Sequence, residues 1–245
     1  MKISPRDNKY RTQEQAIEFH NSRKERMLSM PDIFQLVKDN NTETIESLRK
    51  DFEDRWLVTS TRIIYDSNNL SATIIHNAGS TVIKPTEISL NEIPVCQPTY
   101  LKELIGTEAG LSYIRALINN SKAAKEQITE FMVNISGKKE KNIRFWTPSQ
   151  SSRADKQVRS VGLSFDGFDR FIVDGDNWID DDDGLSRGVI IDSAKQTIFF
   201  SKKAIFDLEE KIITIPLTTK LRRELEKKQK KGKIKIYWKL NVSIK

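Results

Sequence analysis

Over roughly the first quarter of the chain apolar residues recur every three or four positions, and beyond it every two, so the pattern predicts a helical lead-in followed by strands. Helices are expected over 11–28, 31–38 and 42–54. Phe34 and Val37, then Ile45, Leu48 and Phe52, fall on single faces, and Pro31 suits a first helical turn. From Trp56 the period shortens. Residues 56–65 read as a strand, and 72–76 and 80–84 read as a hairpin joined at Asn77-Ala78-Gly79. Helical spacing returns over 100–105, 107–118 and 121–135, with Thr107 and Ser121 as N-cap candidates. Short strands are expected at 143–147, 158–165, 170–173, 188–191 and 197–200. A strand at 212–215, a charged helix over 218–231 and a final strand over 233–244 follow; in the last, Ile234, Ile236, Trp238, Leu240, Val242 and Ile244 alternate. The order predicts an α+β fold.

Composition narrows the class. The chain has 245 residues, 37% of them hydrophobic, enough for one sizeable core with a small appendage. No run approaches the ~18 apolar residues of a membrane span. Met1-Lys2-Ile3-Ser4-Pro5 lacks the apolar segment of a secretory signal, so export by an ordinary signal peptide is not expected and the default location is cytoplasmic. The single Cys96, beside Pro94 and Pro98, excludes an internal disulfide and a cysteine-rich zinc site and reads as a packed residue.

The net charge of +7 conceals two regions of opposite sign. Residues 201–245 hold 14 Lys and Arg against 5 Asp and Glu, whereas residues 157–194 hold 9 Asp against 3 Arg and contain neither Lys nor Glu. Codons ending in a pyrimidine cannot encode Lys, Glu, Gln, Met or Trp, and within 158–194 only Trp178 falls outside that alphabet. Randomising the adenines of Asn-type codons would yield types that include Asp, Phe, Gly, Ile, Leu, Ser, Tyr and Asn, and from Asp166 to Leu185 every residue but Arg170, Val173 and Trp178 is one of these.

The frame Phe145-Trp146-Thr147-Pro148-Ser149, followed by Ser164-Phe165, Arg170-Phe171 and Gly184-Leu185-Ser186-Arg187-Gly188-Val189, resembles the variable region of diversity-generating retroelement target proteins. The resemblance is concentrated in 143–191. It implies a C-type-lectin-like domain over 56–245 with short irregular strands and two or three helices, preceded by a small helical segment over 1–55. It further implies a variable region near 157–191 and a basic extension over 201–245. In that family a reverse transcriptase copies a template with errors at adenines and rewrites exposed ligand-binding residues. Carried over, the ligand-binding positions are Asp166, Phe168, Asp169, Asp174, Asp176, Asn177, Trp178, Ile179, Asp180, Asp181, Asp182, Asp183 and Leu185. The scaffold positions are Trp146, Phe171, Gly184, Ser186, Arg187, Gly188 and Val189. The expected partner is a macromolecule, most naturally a protein, with no cofactor. Such variable regions usually lie close to the C-terminus, whereas about 50 residues follow this one. Because lectin-like folds bring their terminal strands together, 233–244 is expected to pair with 56–65.

Other chemistries find less support. The run Asp174 to Gly184 lacks the Glu and the flanking helices of an EF-hand. The Glu-Pro-Asn and Trp-Asn-Asp signatures of calcium-dependent sugar binding are missing, so a lectin-like fold would not imply carbohydrate recognition. The carboxylates of the run are nearly consecutive, not drawn from separate strands, and His20 and His76 have no Cys or carboxylate at ligand spacing, so each reads as an ordinary surface or core histidine. An enzyme and a metal site are therefore not expected. The alternative is a nucleic-acid-binding protein using the basic helix Lys220 to Lys231.

Overall fold

The computed structural model describes residues 1–66, 68–79, 84–90, 98–147 and 156–190. The described residues all lie within Met1–Ser201, which forms one compact unit. The expected elements at 80–83, 197–200, 212–215, 218–231 and 233–244, and Cys96, lie outside the described residues.

Six helices and nine strands are described, an α+β fold. α1 (Gln13–Ser22) opens on a capping box in which Thr12 and Gln15 exchange hydrogen bonds. It stops six residues earlier than its apolar spacing predicts. Lys24 adopts a left-handed backbone (φ 62°), which breaks the helix, and Glu25–Met27 continues as strand β1. α2 (Met30–Lys38) carries Pro31 in its first turn, and α3 (Thr42–Asp54) is capped by Asn41. α4 (Leu101–Leu104) and α5 (Glu108–Leu117) follow later, with Thr107 accepting the Gly110 N–H at 3.0 Å. α6 (Lys125–Ser136) has Ala124 at its N-cap instead of Ser121; Asn120 and Ser121 belong to the turn before it. It ends on Gly137 in the left-handed conformation (φ 67°), which glycine adopts without penalty.

The main sheet has seven strands in the order β4 (Thr86–Ser89), β3 (Ser71–Ile75), β2 (Leu57–Asp66), β7 (Lys156–Phe165), β8 (Phe171–Trp178), β6 (Ile143–Trp146) and β5 (Pro98–Tyr100). All neighbours are antiparallel except β6 and β8. A second, two-stranded sheet pairs β1 with β9 (Gly188–Ile190). One face of the main sheet buries Ile63, Tyr65, Phe145, Leu163, Phe171 and Val173 against the helices. Phe52 of α3 meets Phe165 and Phe171 there, with ring centroids 5.2–6.1 Å apart. The first 55 residues share this core through Leu28, Met30, Ile33, Leu36, Leu48 and Phe52.

Midway along β2 the register with β7 shifts between Val58 and Arg62, at Thr59-Ser60-Thr61, all fully buried. Their hydroxyls must find partners there. Thr59 donates to Val161 O at 2.9 Å and Ser60 to Met27 O at 2.9 Å, while Thr61 accepts the Met30 N–H at 3.0 Å. Thr61 also meets His76 Nδ1 at 3.1 Å, and His76 Nε2–H donates to the Ala116 carbonyl at 2.9 Å. Polar side chains in mid-strand thus tie the sheet to the N-terminal region and to α5. The same packing closes β2 to further pairing. β7 runs along one edge, and β3, Leu28 and Leu185 occupy the other; the expected partner 233–244 lies outside the described residues.

Candidate functional site

The strip from Gly184 to Val189 is built into the body of the protein. Gly184 and Gly188 have no room for a side chain: an added Cβ would lie 2.3 Å from Val58 Cγ2 at the first and 2.5 Å from Glu25 Oε2 at the second. Arg187 is 8% exposed and forms a two-pronged ion pair with the buried Asp51, including an Nη2 to Oδ1 bond of 2.9 Å. It also donates to Ser47 Oγ at 2.9 Å and to the Ser4 carbonyl at 3.3 Å. Ser186 is 3% exposed and Val189 5%, and Phe171 lies wholly in the core. Leu185 requires correction. It was expected on the exposed face, but its side chain is 1% exposed and packs in the core, and its backbone bonds to Trp56 O and Val58 N. Trp146 departs in the other direction. Expected in the scaffold, it ends β6 with its ring 39% exposed, because the residues that alternate with it, Ile143 and Phe145, take the core side.

Ser186 belongs to an arrangement not foreseen from the sequence. His20 Nδ1–H donates to Glu25 Oε2 at 2.9 Å, and His20 Nε2 lies 3.0 Å from Ser186 Oγ. Burial lowers the His20 pKa despite the carboxylate, so the imidazole is held neutral; burial pushes Glu25 up, but bonds from His20, Ser4 and Arg23 outweigh it and leave Glu25 below its ordinary value. A hydroxyl, an imidazole and a carboxylate in line have the order of a nucleophilic triad. With His20 fully buried, no substrate reaches it, and the relay acts as an internal tie between α1, β1 and the strip. His76, equally buried, also belongs to the core.

Between β7 and β8 the chain turns over Asp166–Arg170. Asp166 accepts the N–H groups of Phe168 (3.0 Å) and Arg170 (3.1 Å) and pairs with the Arg170 guanidinium at 2.5 Å. Burial pushes its carboxyl up, but these bonds outweigh it and hold the pKa below the ordinary value. Asp166 therefore holds the turn. Phe168 is 77% exposed at the tip and stacks on Arg170 at 4.6 Å; Asp169, left-handed at φ 59°, meets Lys138.

β8 alternates as far as Asp174, where its register with β7 shifts between the pairs Gly162–Asp174 and Ser160–Asn177. Gly175 faces the core, where an added Cβ would stand 2.2 Å from the Tyr113 hydroxyl, and its carbonyl accepts Tyr65 Oη–H at 2.7 Å. Past the shift, Asn177 stands opposite Ser160 and Trp178 opposite Arg159. Asp174 is pushed up to about 6, chiefly by burial, and accepts the Asp176 N–H at 2.8 Å. Asp176 pairs with Arg159 at 2.9 Å, and the Arg159 guanidinium lies 3.6 Å from the centroid of Trp178, which is 56% exposed. Asn177 bonds Ser160 Oγ at 2.8 Å.

Beyond β8 the loop 179–183 is fixed by the N-terminal segment: the Gln13 N–H donates to Ile179 O and the Arg11 N–H to Asp182 O, both at 3.1 Å. Ile179 is half-buried and Asp180, Asp181, Asp182 and Asp183 project into solvent. Partial burial raises the Asp181 pKa, as do its neighbours Asp183, Asp180 and Asp182. Among the described residues no three His, Cys, Asp or Glu side chains come together to hold a metal ion. A groove of about 490 Å³ runs beside this loop, with Asp183 on one wall, Phe165 and Asp166 on another, and Tyr10, Glu53 and Trp56 completing it. Tyr10 and Trp56 carry no signal in the restricted alphabet and are joined to the face only by folding.

Nothing among the protein-family models, the curated proteins or the solved structures matches this chain. No described helix is long and apolar enough to cross a membrane.

Proposed function

We propose that this chain is a ligand-binding protein of C-type-lectin-like fold whose exposed loop residues are diversified by a retroelement reverse transcriptase. The observation that carries the reading is the division within the restricted alphabet. Phe168, Asp169 and Asp180 to Asp183, all within that alphabet, project from the turns at the two ends of β8, with the exposed Trp178 at the end of the strand, while Gly184 to Val189 is buried. Side chains pointing into solvent tolerate replacement at little folding cost, which a diversified surface requires. A macromolecular ligand, a protein by preference, would take Phe168 and Trp178 as apolar anchors and the aspartates as acceptors. The packing narrows the variable set: Asp166, Asp174, Asp176, Asn177 and Leu185 have internal partners or core positions. Sequencing the gene and its flanking DNA across a population tests the reading. Expected are substitutions concentrated at 168, 169 and 178–183, and a nearby repeat bearing adenines at those codons. A uniform segment without a repeat would refute it.

The excess of 14 basic over 5 acidic residues in 201–245 favours a second reading, nucleic-acid binding through the basic segment. Charge reversal at Arg222, Arg223, Lys227 and Lys228 would then abolish a salt-sensitive affinity that changes at Phe168 leave intact.

A further inference from the structure

We propose that the groove between the 179–183 loop and the 166–170 turn receives a lysine or arginine side chain from a basic, extended segment of the partner protein. The inference rests on reading this face as the ligand-binding one, and it names the chemistry of what binds there. The volume, about 490 Å³, lies within the range of about 300–1,000 Å³ typical of clefts that take small ligands, so a long side chain fits.

Two features of the lining select a cation. One is aromatic: Tyr10, 67% exposed, and Trp56 offer ring surface, and the Tyr10 ring already carries the Arg55 guanidinium at 5.0 Å. The other is charge, since four carboxylates, Glu53, Asp54, Asp166 and Asp183, face the single guanidinium of Arg55. Asp54 is already paired with Arg6 at 2.7 Å and Asp166 with Arg170, whereas Glu53 and Asp183 have no cationic partner among the described residues. Glu53 and Asp183 are exposed at the rim of the groove, where a cation arriving between them is drawn by both charges and by the aromatic neighbour.

The surroundings favour a segment over a lone cation. Asp180, Asp181 and Asp182 continue the negative surface beyond the mouth of the groove, where the next basic residues of an extended chain would lie. Partial burial first, and then repulsion from Asp183, Asp180 and Asp182, raises the proton affinity of Asp181, which Arg159 offsets only in part. The loop is also pre-set. Arg11 and Gln13 hold the carbonyls of Asp182 and Ile179, so little ordering cost remains at binding.

The test is fluorescence polarisation of labelled octalysine and octaarginine peptides with the full chain at low salt, with octaglutamate as control. Because the chain has a net charge of +7, a basic peptide that binds does so against the overall charge. We expect saturable binding of at least one basic peptide, weakened about tenfold in the Glu53→Gln/Asp183→Asn double variant and severalfold in Tyr10→Ala. All three residues are on the surface or the groove wall, and circular dichroism confirms that the variants are folded. The proposal is overturned if neither basic peptide binds. It is equally overturned if the double variant binds as well as the parent, or if only an Asp180→Asn/Asp181→Asn/Asp182→Asn variant loses affinity, since general surface charge would then suffice. Peptide failure alongside population variation at 168–183 would refute the cation groove alone. Peptide binding by a chain whose gene is uniform would refute diversification alone.

Discussion

The turn at 166–170 and the strip at 184–189 belong to the same restricted codon alphabet, yet they occupy opposite environments. In the turn, Phe168 is 77% exposed and the backbone is held by the neighbouring Asp166. In the strip, a leucine, a serine and an arginine are all under 9% exposed and are held by residues from the far end of the sequence, Ser4, His20, Glu25 and Asp51. The contrast teaches that residue type does not decide which positions are free to vary; what reaches them from elsewhere in the fold does.

The comparison is broken most sharply at Arg187. Arg187→Ala leaves the buried Asp51 with only the Arg6 guanidinium, 3.7 Å away, as a cationic neighbour, and is expected to destabilise the protein by about 3 kcal/mol, read as a fall in the urea midpoint. Leu185→Ala comes next, at about 3 kcal/mol for a core leucine, and a loss under 1 kcal/mol would return Leu185 to the exposed set. Asp174 sharpens the comparison through pH. Its folded pKa of about 6 lies above the ordinary 3.8, so its favourable contribution is full below pH 3.8 and is lost as pH rises through 6. Asp174→Asn should therefore stabilise the protein by about 1–2 kcal/mol at pH 8, after allowance for partial solvent screening, and by nothing measurable at pH 3; melting temperatures at the two pH values check this. Smallest are Phe168→Ala and Asp182→Ala, each expected to change stability by less than about 0.5 kcal/mol in the same denaturation experiment.

Much of the frame was legible in the chain. α2, α3 and α5 follow from apolar spacing with a proline or a capping residue at the start, and β2 and β7 from two-residue alternation. β1 was not legible. The apolar positions Ile17, Met27 and Leu28 keep a helical spacing past Ser22, and no glycine or proline marks the break at Lys24. Of the candidate site, the codon alphabet marks the segment that holds Phe168 and Asp180 to Asp183, but it cannot distinguish a leucine in solvent from one in the core. Nor can it reveal that Asp166 ties a turn, since only the fold brings the N–H groups of Phe168 and Arg170 to its carboxylate. Tyr10, Glu53 and Trp56 were invisible for a related reason. They lie more than 100 positions from the acidic loop and are joined to it through backbone contacts that no local pattern encodes.

The bonds from Ser4, Asp7, Arg11 and Gln13 to Gly188, Ser186, Asp182 and Ile179 form a seam between stretches as much as 184 residues apart. Such distant pairing is slow, because a large loop must close before any of its contacts form. The seam also holds the loop that bears the aspartates. Refolding should therefore give a sheet before it gives a finished ligand face, and the interval between them is set by chain closure and not by the loop residues themselves. Sequence change at the tips then leaves the rate of assembly untouched.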